Sequence, residues 1–416
     1  MDDREFSAAM RRRRFYLLMF CAVNFVTGAL YTWSLFAQGL AERFTALTGA
    51  AVSSADLAGV FGLATGLTPF MMLFGGIVND RFGPRFVIAL GGLMIGAGYL
   101  LMPLCPEPAL LYGAYGVLVG CGTGLVNGCT ISTAVKFFPD RRGFAGGTVT
   151  AALGIGAVVW PAVAGALIGS AGIAAALCFF GAVSLAVIVP LGLLSAKCPD
   201  GFAARVTGGK PGAAASEGTD WKGMVRTPGF WLLLLLFICA STLGLMLFSN
   251  LSGMAGEQIG LSAAAAAAAV SAVSLANACG RFFCSLLSDR IGRVPALMAA
   301  LVAAALGEAA LLSAGRGDAA LFFTGIALIG LCFGAAVGIY PGLVADEYGA
   351  KHNSVNFSVM MLGYSAGSLA GPSLIAWART GEGFLRAYEV SIAAALLGLC
   401  CGAAFLWLKR SKRAAA

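Results

Sequence analysis

Apolar stretches long enough to cross a lipid bilayer recur along almost the whole chain. A spanning helix needs about 20 predominantly apolar residues. Twelve such runs lie near 15–39, 54–77, 86–103, 109–134, 144–169, 172–194, 228–252, 263–286, 295–313, 318–343, 352–377 and 388–408. Only helices and closed barrels satisfy their backbone in lipid, and runs this long and continuous are typical of helices. The sequence therefore predicts an all-α membrane protein with 12 transmembrane helices.

The placement of basic residues predicts the orientation in the membrane. Most of the 27 Lys and Arg residues fall at the N-terminus and in alternate loops, as at 11–14, 136–142 and 409–413. The positive-inside rule places these loops, and both termini, in the cytoplasm of a cell that carries the protein in its inner or plasma membrane. The net charge of +8 is thus a topology signal. We expect contact with lipid and no nucleic-acid partner.

Catalysis and metal binding have little support in the sequence. Most of the 12 cysteines lie in apolar runs, where a thiol packs as a small hydrophobe, and the one histidine, His352, lies at the edge of a run. No nucleophile, metal cluster or carboxylate pair lies at bilayer depth. We therefore expect no enzymatic activity, no metal and no cofactor.

The chain reads as two halves joined by a polar linker. "NDRFGPR" (79–85) follows the second run and "SDRIGR" (288–293) follows the eighth, with their aspartates 209 residues apart. Pro161 and Pro372 repeat at a separation of 211 residues. Such repeats predict pseudo-symmetric six-helix bundles. We place the N-terminal bundle at 1–194, a cytoplasmic linker at 195–227 and the C-terminal bundle at 228–416.

Several of these stretches resemble a known family. "GGIVNDRFGPR" resembles the loop signature of the major facilitator superfamily. "YTWSLF", "GCGTGLVNGCTISTAVKFFPDRRGFAGG" and "NACGRFFCSLLSDRIGR" resemble the oxalate–formate antiporter family and the related monocarboxylate transporters. The resemblance implies a central cavity between the two bundles, alternating access, and a small organic anion as substrate.

Arg281 is the leading candidate for binding such an anion. It lies in the eighth run, on one helical face with the polar residues Ser274, Asn277, Ser285 and Ser288. A guanidinium suits a carboxylate because its donors can bond both oxygens, and intramembrane ionisable residues usually serve function. The alternative is a structural arginine bonded to carbonyls or to a carboxylate. The one deep acidic residue, Glu308, is predicted to lie far away, towards the extracytoplasmic end.

Four further residues are candidates for the substrate site. The resemblance to the antiporters implies a lysine where this sequence has Tyr364, and the animal monocarboxylate transporters have an aspartate where it has Asn277. One cation instead of two favours a monoanion over oxalate. The missing aspartate argues against a proton step carried by the protein itself, although the substrate could carry its own proton, and the sequence does not decide between proton symport and anion exchange. Tyr31 and Asn127 belong to polar stripes that fit either the cavity or close helix packing.

The two Asp-Arg loops are candidates for a gate. If the superfamily account applies, Asp80 caps a neighbouring helix and pairs with Arg81 or Arg85, while Gly83 allows a tight turn. Asp289 and Arg290 repeat the pattern. The alternative is that these loops only carry the excess of Lys and Arg that is typical of cytoplasmic loops. That excess does not require an acidic residue among the basic ones.

The predicted function is secondary transport of a small carboxylate, best fitting a monocarboxylate such as lactate or formate. Protons or a counter-anion are the expected coupling partners, and we expect a monomer. An oxalate-type dicarboxylate antiporter is the main alternative. A non-transporting membrane sensor is less favoured, because neither tail is long enough for a signalling domain.

Overall fold

The computed structural model describes residues 3–49, 51–54, 56–208, 218–378 and 384–414, which are almost entirely helical. Ten of the described helices are long and apolar enough to cross a bilayer. They are α1 (Asp3–Leu47), α2 (Gly59–Phe82), α3 (Arg85–Leu104), α4 (Tyr112–Phe137), the double segment Arg142–Leu194, α7 (Pro228–Leu251), α8 (Ala268–Ile291), α9 (Arg293–Ser313), α10 (Ala319–Tyr348) and α12 (Leu385–Ser411).

Two details of the backbone bring these ten helices to twelve spanning segments. Within Arg142–Leu194, Gly172 has φ 82° and ψ 170°, which breaks the helix into α5 (142–171) and α6 (173–194). Glycine is needed there because a positive φ is strained for other residues. The helices Asn353–Met360 and Leu362–Ala378 together form α11 (353–378). The described residues thus contain a helix at each of the twelve predicted positions.

The helix boundaries differ from the apolar runs most strongly at α1. The prediction began at residue 15, whereas the helix begins at Asp3. This extension is held by contacts distant in sequence. The rings of Phe6 and Phe202 pack in a tilted arrangement with centroids 5.7 Å apart, and Arg13 pairs with Asp140 at 2.8 Å. Of the predicted linker, residues 209–217 lie outside the described part of the chain.

The contacts divide the chain into two compact units whose limits cross the halves of the sequence. Unit 1 contains Met1–Asp140, Ala152–Gly218 and Gly349–Val359. Unit 2 contains Arg141–Ala151, Thr219–Tyr348 and Met360–Ala416. The start of α11 therefore packs with the first half of the sequence, and the start of α5 packs with the second. The predicted domain boundaries at 194 and 228 remain a prediction.

Candidate functional site

Arg281 lies in a short π-helical turn, Gly280–Cys284, inside the apolar helix α8. Its side chain is buried, with 8% exposure. Nε donates a hydrogen bond to Oδ1 of Asn277 at 2.9 Å, and Nη1 donates to the carbonyl of Thr150 in α5 at 3.2 Å. A π turn inside an α-helix frequently marks a functional position. Both partners are neutral groups, and they orient the guanidinium.

Glycines of the neighbouring helices allow the backbone of this turn to be packed closely. A Cβ on Gly338 of α10 would lie 2.6 Å from the Arg281 carbonyl oxygen, and one on Gly147 of α5 would lie 2.5 Å from the same atom. A Cβ on Gly334 would overlap the carbonyl oxygen of Asn277. Because side chains are excluded at these points, α5 and α10 fix the backbone that carries Arg281.

Two polar groups beside Arg281 are buried without a hydrogen-bond partner among the described residues. They are Nδ2 of Asn277 and Oγ of Ser285. A buried polar group that makes no hydrogen bond is destabilising by roughly 1–3 kcal/mol. The two groups therefore offer hydrogen-bonding capacity on the same polar face as the guanidinium.

Tyr364 lies half-buried in α11 and stacks on Phe333 of α10, with ring centroids 6.0 Å apart. Phe333 is adjacent in sequence to Gly334, which packs against the Asn277 backbone. Consecutive residues of α10 therefore contact both the Tyr364 ring and the Arg281 turn. This arrangement places three of the predicted binding residues, Arg281, Asn277 and Tyr364, around α10 within unit 2.

The other two predicted binding residues belong to unit 1, where α1 meets α4. Oδ1 of Asn127 accepts a hydrogen bond from the Thr27 hydroxyl at 3.2 Å, and Asn24 donates to the Thr130 hydroxyl at 2.7 Å. Tyr31 follows Thr27 by four residues, on a 3₁₀ turn, and is 41% exposed. Helix packing thus engages Asn127, while much of the Tyr31 ring remains accessible.

Asp80, at the end of α2, caps the start of α11. Its carboxylate accepts from the backbone N–H of Ser354 at 3.4 Å and of Val355 at 3.2 Å. Its ion pair is with Lys136 of α4, at 2.5 Å. The predicted pairing with Arg81 or Arg85 is therefore wrong. Both arginines are exposed and lie against the rings that follow them in sequence, Phe82 and Phe86.

Asp289, at the end of α8, makes the corresponding cap on α5. Its two carboxylate oxygens accept from the backbone N–H of Gly143 at 2.9 Å and of Phe144 at 2.8 Å. Arg293 pairs with Asp289 at 2.6 Å and with Asp346 at 2.8 Å. The predicted Arg290 is exposed.

The two caps are related by the internal repeat of the sequence. The aspartates are 209 residues apart, and the amides that they accept from, at 143–144 and 354–355, are 211 residues apart. Gly83 and Gly292 follow each aspartate by three residues and have φ of 90° and 95°. The repeat read in the sequence therefore extends to hydrogen bonds that join each half of the chain to the other.

Sequence reasoning missed the residues that complete these caps. Arg142 is 3% exposed and donates to Asp346 at 2.8 Å and to the Ala345 carbonyl at 2.7 Å. Lys136 and Asp346 occupy corresponding helix ends in the two halves. Lys136 and Arg142 stand in the quoted stretch "KFFPDRRG", whose charges were the available signal.

The model of the Major Facilitator Superfamily matches residues 15–372 and again 246–415. The fucose:proton symporter FucP of E. coli superposes with a TM-score of 0.70, covering 94% of this chain and 98% of that one at 15% identity. The predicted major facilitator fold is thereby confirmed.

Among curated relatives, the uncharacterized MFS-type transporter YhjX of Escherichia coli is 29% identical over 86% of each chain. The oxalate:formate antiporter of Oxalobacter formigenes is 27% identical over 91% of this chain and 88% of its own. Monocarboxylate transporter 9 of Gallus gallus is 31% identical over 27% of this chain and 22% of its own. These matches confirm the resemblance that the sequence motifs indicated.

Proposed function

This chain belongs to the major facilitator superfamily of membrane transporters, and we propose that its substrate is a small organic anion, best fitting a monocarboxylate such as lactate or formate. The sequence relatives support this class, since one is named as an oxalate:formate antiporter and another as a monocarboxylate transporter. Alternating access of the two predicted bundles, 1–194 and 228–416, would move the anion across the membrane.

The buried position of Arg281 carries the proposal. A guanidinium in a spanning helix is retained where it serves function, because charge at this depth is unfavourable. Its Nε and Nη1 are oriented by the neutral groups of Asn277 and Thr150. A carboxylate is the ligand that supplies both opposite charge and planar acceptors. In this account Arg281 binds the carboxylate, and the free Nδ2 of Asn277 adds a hydrogen bond.

The neutral residues around α10 favour one carboxylate over two. Asn277 and Tyr364, which contact the same helix as Arg281, carry no positive charge at neutral pH. The competing proposal, an oxalate-type exchanger, is supported by the match to the oxalate:formate antiporter over most of both chains.

Each of the two aspartate caps supports a gating role. Each cap joins a loop of one half of the sequence to a helix start of the other half. We assign both loops to the cytoplasmic side, because the basic residues and both termini are predicted to lie there. In this account Asp80, Gly83, Asp289 and their basic partners close the cytoplasmic gate, which opens when both caps are released.

Uptake into proteoliposomes tests the function directly. Purified protein is reconstituted and assayed with labelled lactate, formate and oxalate, both as net uptake and as exchange against the same unlabelled anion. Protein-free liposomes are the control. We expect protein-dependent movement of at least one monocarboxylate. Movement of none of the three anions would contradict the proposed function, and movement of oxalate alone would favour the exchanger.

A further inference from the structure

Glu308 is a carboxyl group buried inside the spanning helix α9, outside the site described above. Its side chain is 0% exposed, and neither carboxyl oxygen has a hydrogen-bond partner among the described residues. It follows Arg293, the first residue of α9, by about 22 Å of helical rise. Arg281 lies only about 12 Å before Asp289, at the end of α8. Glu308 therefore lies farther than Arg281 from the end of the molecule that carries Asp289 and Arg293, and it is closer to the opposite end of its helix.

The surroundings of Glu308 do not stabilise a negative charge. Among the described residues, the Cys332 thiol on α10 and the Tyr388 phenol on α12 are close enough to interact electrostatically with a carboxylate at Glu308. The Tyr388 hydroxyl donates to Oε1 of Gln258 at 2.6 Å, so its proton is already engaged. Within the described chain no ion pair reaches Glu308. An isolated carboxylate in such a place costs several kcal/mol, so the group is held as the neutral acid.

The helix that packs on Glu308 also contacts the candidate substrate site. Next to Glu308, a Cβ on Gly307 would lie 2.8 Å from the Gly325 carbonyl oxygen, so α9 and α10 are in close contact. On α10, Cys332 is followed directly by Phe333, which stacks on Tyr364, and by Gly334, which packs against the Asn277 backbone. A movement of α10 therefore changes both the surroundings of Glu308 and the packing of the candidate substrate site.

We propose that Glu308 is the proton-binding site through which this transporter couples carboxylate movement to protons. The inference rests on the proposed function and extends it. In the conformation described here one carboxyl oxygen carries the proton. A conformation in which α9, α10 and α12 separate enough to hydrate the carboxyl releases it, because water stabilises the anion. Proton binding and the conformational equilibrium are then linked.

The protonation state is tested without any substrate. Infrared spectra of the purified protein at neutral pH should contain the carbonyl stretch of a protonated carboxylic acid, and Glu308→Gln should remove that component. Glu389→Gln is the matched control, since Glu389 is exposed on α12, next to Tyr388 in sequence. Loss of the same component in the control, or its persistence in Glu308→Gln, would overturn the assignment.

The coupling is tested in proteoliposomes that contain a pH-sensitive dye, with L-lactate added outside. The parent should acidify the lumen as lactate enters. Glu308→Gln should still exchange lactate for lactate, while lumen acidification falls at least ~5-fold. This factor is the smallest effect that one bound ligand typically has on the binding of another. Glu308→Asp, which keeps a titratable group, should restore part of the acidification.

The outcomes separate this inference from the proposed function. If the parent transports lactate and Glu308→Gln acidifies the lumen as the parent does, the proton travels elsewhere and the role of Glu308 is refuted. If Glu308→Gln loses lactate exchange as well and Glu308→Asp restores neither activity, the residue is structural and the inference fails. If the parent moves none of lactate, formate and oxalate, the proposed function fails first and the coupling falls with it.

Discussion

The guanidinium of Arg281 has two tasks that a lysine cannot combine. It is oriented by Asn277 and by the Thr150 carbonyl, which accept from Nε and Nη1, and it is proposed to bind the substrate carboxylate. A lysine ammonium is a point charge without this planar set of donors. Replacing Arg281 by lysine therefore separates the effect of charge from the effect of geometry.

Arg281→Lys is expected to weaken substrate binding while the protein stays folded. Loss of a hydrogen bond to a charged group costs about 1.5–3 kcal/mol, or roughly 10- to 100-fold in affinity. The measurement is thermal stabilisation of the purified protein by whichever monocarboxylate it transports. Arg290→Lys, at an exposed position on the same helix, is the control and should behave as the parent does. Equal stabilisation of Arg281→Lys and the parent would refute the carboxylate role.

Tyr364→Lys is expected to shift the preference of the site from monoanions towards oxalate. Beside a neutral phenol, the second carboxylate of a dianion would lie unpaired in a partly dehydrated site, which should disfavour dianions by ~10²-fold or more in the parent. The measurement is competition of oxalate against labelled lactate or formate. Tyr364→Phe keeps the ring that stacks on Phe333 and should retain the monoanion preference. Oxalate that already competes equally in the parent would contradict this interpretation.

Side-chain partners were less predictable than the residues themselves. The sequence singled out Asp80 because an acid is unusual in a basic loop, and it assigned the nearest arginines as partners. The structure instead pairs Asp80 with Lys136, 56 residues later. Arg81 and Arg85 point away and lie against their neighbouring rings. Tertiary packing decides which loop meets which helix end. The local sequence does not contain this information.

The helices were predictable because length and apolarity suffice to identify a spanning segment. Interruptions of the regular helix could not be predicted, because the π turn at Gly280–Cys284 depends on the side chains and backbone that pack against it. Gly280 itself illustrates this dependence, because a Cβ there would overlap the carbonyl oxygen of Leu331 on α10. Periodicity shows that a helix carries a polar face, but it does not show where a neighbouring backbone will press on it.

Gly334→Ala is expected to damage the Arg281 turn through the helix that supports it. The added methyl would overlap the carbonyl oxygen of Asn277 and would lie 2.9 Å from the backbone nitrogen of Arg281. Overpacking of this kind typically lowers the free energy of unfolding by about 1–3 kcal/mol. We expect a lower melting temperature and weaker substrate binding, measured on the purified protein with and without monocarboxylate.

Gly165→Ala is the matched control for that change. Gly165 also lies within a long spanning helix, but a Cβ there would meet nothing within 4 Å. Alanine is the better helix former by about 1 kcal/mol, so the control should be as stable as the parent or more so. Parallel behaviour of the two variants would show that close approach at Gly334 does not matter.

For the complete transporter, the proposed gate has a natural reporter in Cys198. This residue lies after α6, outside the spanning segments, and its thiol donates to the carbonyl of Lys136 at 3.4 Å. Burial raises the pKa of the Cys198 thiol to about 12, although the nearby Lys136 charge acts in the opposite direction. Because the thiolate is the reactive form, Cys198 should react slowly with a maleimide near neutral pH while the cap is closed.

Asp80→Asn is expected to open this end of the molecule and to expose Cys198. The change removes the charge that pairs with Lys136 and weakens the cap on Ser354 and Val355. Hydration would lower the pKa of the thiol towards its ordinary value near 9, which enlarges the thiolate fraction at neutral pH. Maleimide labelling of Cys198 should then accelerate by at least ~10-fold. Transport should fall while substrate still binds.

Two controls make the labelling specific. Cys198→Ser in both backgrounds identifies the signal that belongs to this thiol among the 12 cysteines. Arg85→Gln changes a charge at an exposed position in the same loop without touching the cap, so its labelling rate should match that of the parent. If a folded Asp80→Asn protein labels no faster than Arg85→Gln, the Asp80 cap is a local feature of one loop. The gate must then depend on Asp289 and the start of α5, where the paired substitution Asp289→Asn can be tested in the same way by its effect on transport.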